Sequence, residues 1–251
     1  MKITFLGTGT STGNPEIGCH CEVCTSHDPR DKRTRTSALV EVEGKCILID
    51  CGPDFRCQML DNGIEHLDAL LLTHEHYDHV GGLDDLRPLC REKGVDIYAE
   101  ADVSEAIRTR IPYAFRAYKY PGIPNLELHD VTNQPFTAAG ILVTPVRVMH
   151  AKLPIFGYRI GGMAYLTDLK YIPEEEFAKL EGLDVLIIDA LRRGEHPSHE
   201  GLEDALLNIA RIRPREAYLI HMSHRIGLQA IVEKELPPHV HYAYDGLTVE
   251  C

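Results

Sequence analysis

No apolar run in this 251-residue chain is long enough to cross a bilayer, because Asp, Glu, Lys or Gly interrupts every candidate stretch. Positive charge is scarce. Lys and Arg total 26 against 38 Asp and Glu, a net charge of −12 that repels a long polyanion and argues against long nucleic acid as a partner. No Ser/Gly-rich linker or internal repeat divides the chain, so one domain over 1–251 is expected. The opening Met1-Lys2-Ile3-Thr4-Phe5-Leu6 reads as a first strand without a signal-peptide core, which predicts a cytoplasmic protein with no membrane partner. The loop Gly7-Thr8-Gly9-Thr10-Ser11-Thr12-Gly13 lacks both the Lys-Ser/Thr ending of a phosphate-binding loop and dinucleotide-site spacing. It reads as a loose phosphate cradle or as a tight turn crossing near a site.

What the chain does have is polar residues at the ends of apolar strands. Ala69-Leu70-Leu71-Leu72 is an uninterrupted apolar run, the pattern of a strand buried on both faces. It leads into His74-x-His76-x-Asp78-His79, four candidate metal ligands within six residues. Imidazole and carboxylate there are costly unless a divalent ion holds them. Strand-like runs end in the same way at His150, Asp168 and His221. Each alone fits a hydrogen-bonded structural residue; together they point to one metal centre. Asp50 ends another apolar run, Cys46–Ile49, and reads as a ligand, a turn cap or, preferably, an acceptor orienting a ligand imidazole.

Eight cysteines in a chain of this character favour thiols and metal ligation over a disulfide framework. Three of them, Cys19, Cys21 and Cys24, form a knuckle at 18–25 that wants a fourth donor to close a tetrahedral zinc site. Reduced free thiols and a redox pair are the alternatives. The segment 108–124 mixes Arg108, Arg110, Arg116 and Lys119 with Tyr113, Phe115, Tyr118 and Tyr120. It reads as an anion or base contact, a snorkelling surface, a lid or the contact of a homodimer.

Hairpins are expected around Gly44-Lys45 and Gly161-Gly162, and helices over 55–60, about 83–92, 103–111, from Pro173 and after His199. Buried strands are expected at 184–189 and 217–220. This is an α/β chain whose helices lie outside a β-sandwich.

The set His74, His76, Asp78, His79, His150, Asp168 and His221 resembles the metallo-β-lactamase superfamily in its dinuclear hydrolase form, over essentially the whole chain. Within it, Cys19-x-Cys21-x-x-Cys24 with Leu219-Ile220-His221-Met222-Ser223-His224 is similar to the PhnP-type cyclic phosphodiesterases. The resemblance implies a four-layered αββα sandwich and two divalent catalytic metal ions, zinc or manganese. One would sit on His74, His76 and His150, the other on Asp78, His79 and His221, with Asp168 bridging. It also implies a structural zinc on Cys19, Cys21, Cys24 and His224, and His199 as proton donor, where a solvent-exposed helix-start histidine is the bland alternative. The implied activity is hydrolysis of a small, cyclic phosphodiester by a hydroxide held between the ions. Two divalent ions less two carboxylates and a hydroxide leave about one positive charge, suited to a singly anionic substrate. The bridging Asp speaks against a true β-lactamase, and His76 in place of glutamate against the di-iron flavoproteins. Processing of tRNA 3′ ends, and a non-hydrolytic coenzyme-biosynthesis relative keeping only structural zinc, are the alternatives.

Overall fold

In the computed structural model, which describes residues 1–90, 93–116 and 122–251, the apolar runs become central strands covered on both faces. One sheet runs β14 (Thr248–Glu250), β1 (Lys2–Gly7), β2 (Ser37–Val42), β3 (Lys45–Ile49), β4 (Ala69–Leu71), β5 (Val95–Ala99) and β6 (Leu126–Asp130). The other runs β13 (Val240–Tyr242), β12 (Glu216–Ile220), β11 (Val185–Asp189), β10 (Met163–Leu166), β9 (Leu153–Ile160), β8 (Ile141–His150) and β7 (Phe136–Ala138).

The two-residue alternation of side chains sorts these strands into layers. Ile47, Ile49, Ala69 and Leu71 face inward and meet Phe156, Tyr158, Tyr165 and Ile187 of the other sheet. Their neighbours Leu48, Leu70 and Leu72 face outward, against Phe55 and Met59 of α1 (Phe55–Asp61), Val80 of α2 (Tyr77–Val80) and Ile107 of α3 (Ala101–Arg110). On the far side, Leu186, Ile188 and Leu219 pack against Ala205 and Ile209 of α4 (Leu202–Ile212) and Val232 of α5 (Gln229–Glu235). The result is an α/β sandwich of αββα layers. No helix among the described residues is long and apolar enough to cross a membrane.

Several local expectations are corrected. The stretch expected as a helix from 83 to 92 is a 3₁₀ segment over Leu83–Cys90, where Pro88 removes a backbone donor; its last two expected residues lie outside those described. The acidic segment after Pro173 is likewise 3₁₀, over Glu174–Leu180. Three short strands went unread: β6, β7 and β13. Of the basic-aromatic segment, 117–121 lie outside the described residues.

Strand direction positions the site. Parallel pairing of β3 with β4, and of β10, β11 and β12, brings their carboxyl ends to common edges. In the second sheet, Leu166 lies opposite Ile188 and Asp189 opposite Ile220, so Asp168, Asp189 and His221 leave adjacent strands side by side. Asp50, Asp168 and His221 all adopt left-handed backbone, with φ of 62°, 53° and 56°. This is uncommon for non-glycine residues and clusters at functional sites. It reverses the chain as it leaves the sheet.

The turn after β3 clamps the short helix that carries His79. Cys51 N donates to His79 O at 2.7 Å and Gly82 N donates to Cys51 O at 2.9 Å. Gly52 is required by contact: a Cβ there would lie 2.1 Å from the Asp78 carbonyl oxygen. Gly52→Ala is therefore expected to destabilise the fold by about 1–3 kcal/mol, the range for overpacking. Urea denaturation checks this, and an unchanged midpoint would contradict the clamp.

Candidate metal centre

Asp168 sits at the middle of the polar edge. Its Oδ1 lies 3.1 Å from His79 Nε2 and 3.2 Å from His221 Nε2, while its Oδ2 lies 3.8 Å from His74 Nε2. Asp78 Oδ2 stands 3.2 Å from His79 Nε2 and 3.5 Å from His221 Nε2. Donor atoms of Asp78, His79, Asp168 and His221 all fall within 4.8 Å of one another, as do those of His74, His76 and Asp168. His150 meets that spacing with Asp168 and His199, and its ring is 5.2 Å from that of His76. The seven residues read as ligands are thus brought to one locus, divided about a shared carboxylate.

The residues around this locus fix the rings. His79 Nδ1 lies 2.7 Å from Asp50 Oδ2, leaving Nε2 aimed at Asp78 and Asp168. Asp50 is held by the Thr73 amide at 2.9 Å and by the Thr73 hydroxyl. The Thr73 hydroxyl is also 3.0 Å from His74 Nδ1, and His150 Nδ1 donates to Ser198 O at 2.9 Å. In each case the contact at Nδ1 frees Nε2, the second partner that a ligating histidine needs.

His199 is 8% exposed, so it is not a solvent-facing turn residue. It stacks on His221 at 5.0 Å between ring centroids, and its Nδ1 meets Asp189 Oδ2 at 2.9 Å. His196 lies farther out, its ring 5.2 Å from that of His199. Asp189 is a site residue missing from the sequence-based set, fully buried with its other oxygen 3.8 Å from His221 Nδ1. The signal was present: an apolar strand, Val185–Ile188, that ends in a carboxylate.

Electrostatics supports a cation here. Burial alone would raise Asp168, but His221 and His79 hold its carboxyl well below the usual range. Burial would lower His79, and Asp168, Asp50 and Asp78 instead push it well above an ordinary imidazole. Burial and the neighbouring His79 push His74 the other way, well below its usual value. The buried Nε2 atoms of His74, His79 and His221 lack hydrogen-bond partners among the described residues, although all three face carboxylate oxygens. Divalent ions between these groups would satisfy the nitrogens and balance the carboxylates, so the donor set fits such ions.

A second donor set draws its histidine from three residues beyond His221. Cys19, Cys21, Cys24 and His224 bring their donor atoms within 4.8 Å, and Cys24 Sγ is 3.2 Å from His224 Nδ1. Three sulfurs and one imidazole suit a tetrahedral zinc site. None of Cys19, Cys21 and Cys24 is in a disulfide. The loop over 7–13 proves to be a turn tied to the same region. Thr10 N donates to Met222 O, Gly9 N to Thr34 O and Thr8 N to Asp245 Oδ1, so these amides are not offered to a phosphate. From the basic-aromatic segment, Arg110 donates to the Glu75 carbonyl at 2.9 Å, on the rim beside His74 and His76.

Comparison with known proteins places this geometry. A family model described as a beta-lactamase superfamily domain matches residues 45–222. A curated octanoyltransferase of Porphyromonas gingivalis is 53% identical over 250 residues, covering 98% of this chain and 51% of its own, so the chain spans about half the length of that relative. A solved structure of a diphosphatase from the PhnP family superposes with a TM-score of 0.92 at 39% identity, covering 99% of this chain and 96% of that one. Zinc-bound PqqB from Methylobacterium extorquens shares the fold, with a TM-score of 0.79 at 22% identity over the full length of both chains.

Two outcomes are expected. Cys21→Ser should remove one zinc per chain and lower the melting temperature while leaving the buried histidine cluster loaded; unchanged zinc content and melting would refute the structural site. Glu200, 1% exposed and accepting from Asn208, is pushed up to about 9 by burial and by Asp189. Folding therefore takes up a proton between the ordinary carboxyl pKa and about 9, and its contribution to stability falls as pH rises through that window. The loss is at most about 1.4 kcal/mol per pH unit. Glu200→Gln should be more stable than the parent at pH 8 and little different at pH 4.5, as read by denaturation at both pH values.

Proposed function

We propose that this chain, which belongs to the metallo-β-lactamase superfamily, is a hydrolase of the PhnP-like kind that acts on a small phosphodiester, cyclic by preference. The observation that carries this reading is the place of Asp168, one oxygen toward His79 and His221 and the other toward His74. Such a carboxylate divides the donors into two sets, the arrangement that clamps the attacking and leaving oxygens of an in-line displacement. His74, His76 and His150 would hold one ion, Asp78, His79 and His221 the other, and Asp168 both. When bound, such ions supply Lewis acidity and a water acidified for attack at neutral pH.

The chain's own groups supply orientation and proton handling. Asp50 holds the His79 ring and the Ser198 carbonyl holds His150. Asp189 engages His199 Nδ1, which leaves the other ring nitrogen to give a proton to the leaving alkoxide. The net charge of −12 supports a small anionic substrate over a long RNA. The Porphyromonas gingivalis relative is about twice as long as this chain, and the cluster here offers imidazoles and carboxylates rather than a nucleophilic amine or thiol. We therefore do not propose acyl transfer for this chain.

The test uses protein loaded with Mn²⁺, Zn²⁺ or Ni²⁺ on bis(p-nitrophenyl) phosphate, five-membered cyclic phosphates and diphosphates. Asp168→Ala should abolish turnover. His199→Ala should slow cyclic phosphates by about 10²–10⁴, the range for a lost general acid, yet spare the p-nitrophenyl ester, whose leaving group needs no proton. No turnover of any phosphodiester would overturn the proposal, and diphosphate cleavage alone would redirect it. Equal slowing of both ester types would remove His199 from the proton-donor role.

A further inference from the structure

The amino ends of β3 and β4, at the end of that sheet opposite the metal centre, gather three donors that the hydrolytic reaction does not use. Cys46, His66 and Asp68 place a thiol sulfur, an imidazole nitrogen and a carboxylate oxygen within 4.8 Å of one another. Main-chain pairing fixes two of them: Cys46 N donates to Asp68 Oδ2 at 2.9 Å, and Asp68 N donates to Cys46 O at 2.8 Å. His66 joins from the turn that follows α1. Cys46 is 8% exposed. Cys46 and His66 also line a cavity of about 330 Å³ whose walls include Glu41, Asn62 and Glu65.

Two chemistries use a thiol, an imidazole and a carboxylate together. A nucleophilic relay needs the carboxylate to orient the imidazole and the imidazole to meet the thiol. Here Asp68 accepts from the Cys46 amide and, at 3.4 Å, from the Lys45 ammonium, so it does not serve His66 as an orienting partner. A metal site needs only convergence, which is what the three donors show. Sulfur and imidazole select zinc-class ions over magnesium or calcium. A thiolate and a carboxylate would neutralise a divalent charge. The Lys45–Asp68 pair has a half-exposed lysine and yields at little cost.

We propose that Cys46, His66 and Asp68 form an additional binding site for one zinc-class divalent cation, with a fourth coordination position open to the cavity. Binding releases the Cys46 thiol proton to solvent. The ion pins the turn over 62–68 to the sheet edge, and that turn feeds β4, whose other end delivers His74. This site goes beyond the hydrolytic reading and does not depend on it.

The test is equilibrium dialysis of the full, metal-loaded protein against buffered Zn²⁺, comparing the parent with His66→Ala and Cys46→Ser. Each variant should hold one zinc fewer per chain at a concentration that saturates the parent. Its affinity at this site should fall at least tenfold, since even the partners of ligands are worth about 10–100-fold. Ester turnover should be unchanged and excess Mg²⁺ should not displace the ion. Comparing differences between proteins cancels whatever the other centres hold. If Cys46→Ser fails to fold, His66→Ala decides alone, because His66 is exposed. Equal zinc content and affinity in the parent and His66→Ala would overturn the proposal.

Discussion

The concentration of carboxylate charge at one buried edge is the constraint on which the rest of the structure depends. Asp50, Asp78, Asp168 and Asp189 are each under 10% exposed, and Asp50 and Asp189 are completely enclosed. Charges so far from water are costly unless cations stand beside them. The fold answers with imidazoles from both sheets, of which His74, His79, His150 and His199 are held at Nδ1 by a hydroxyl, a carboxylate or a carbonyl. Left-handed backbone at Asp50, Asp168 and His221 turns the chain sharply enough to hold these groups at the sheet ends. Two-sided burial of the strands makes their positions stiff, and the glycine clamp at Gly52 carries that stiffness into the His79 helix.

The same edge links two donor sets of different character. His221 faces Asp78 and Asp168, whereas His224, three residues on, faces Cys24. Between them Met222 is fully buried, and its main chain pairs with Thr8 and Thr10. Ser223 is fixed by two hydrogen bonds to the Leu191 carbonyl, just beyond Asp189. A tetrahedral clamp on the cysteines would therefore steady the turn that presents His221, a structural service to the catalytic locus without any part in its chemistry.

Much of this was legible in the residues alone, for physical reasons. A strand covered on both faces must be apolar throughout, so Leu70–Leu72 and Leu186–Ile188 declared themselves, and the polar residues at their ends stood out. The short strands β6, β7 and β13 did not, because Glu127, His129 and Thr137 alternate with apolar residues over too few positions to show a period. Pro88 turned an expected helix into 3₁₀ structure. Asp189 was visible as a strand end but gained a role only through register, which sets it beside Ile220 and hence next to His221. Cys46 and His66 are twenty residues apart, and no local spacing announces their meeting. His199 fell in between: its position suggested chemistry, and its burial against Asp189 removes the solvent-exposed alternative.

The central claim is that Asp168 lies between two metal ions. Anomalous diffraction from crystals of the metal-loaded protein, recorded at the manganese and zinc edges, tests it directly. The account predicts two peaks about 3.5–4 Å apart on either side of the Asp168 carboxylate, as in two-metal hydrolytic sites, and a separate zinc peak among Cys19, Cys21, Cys24 and His224. Anomalous density at the cysteine cluster with none beside Asp168 would contradict it.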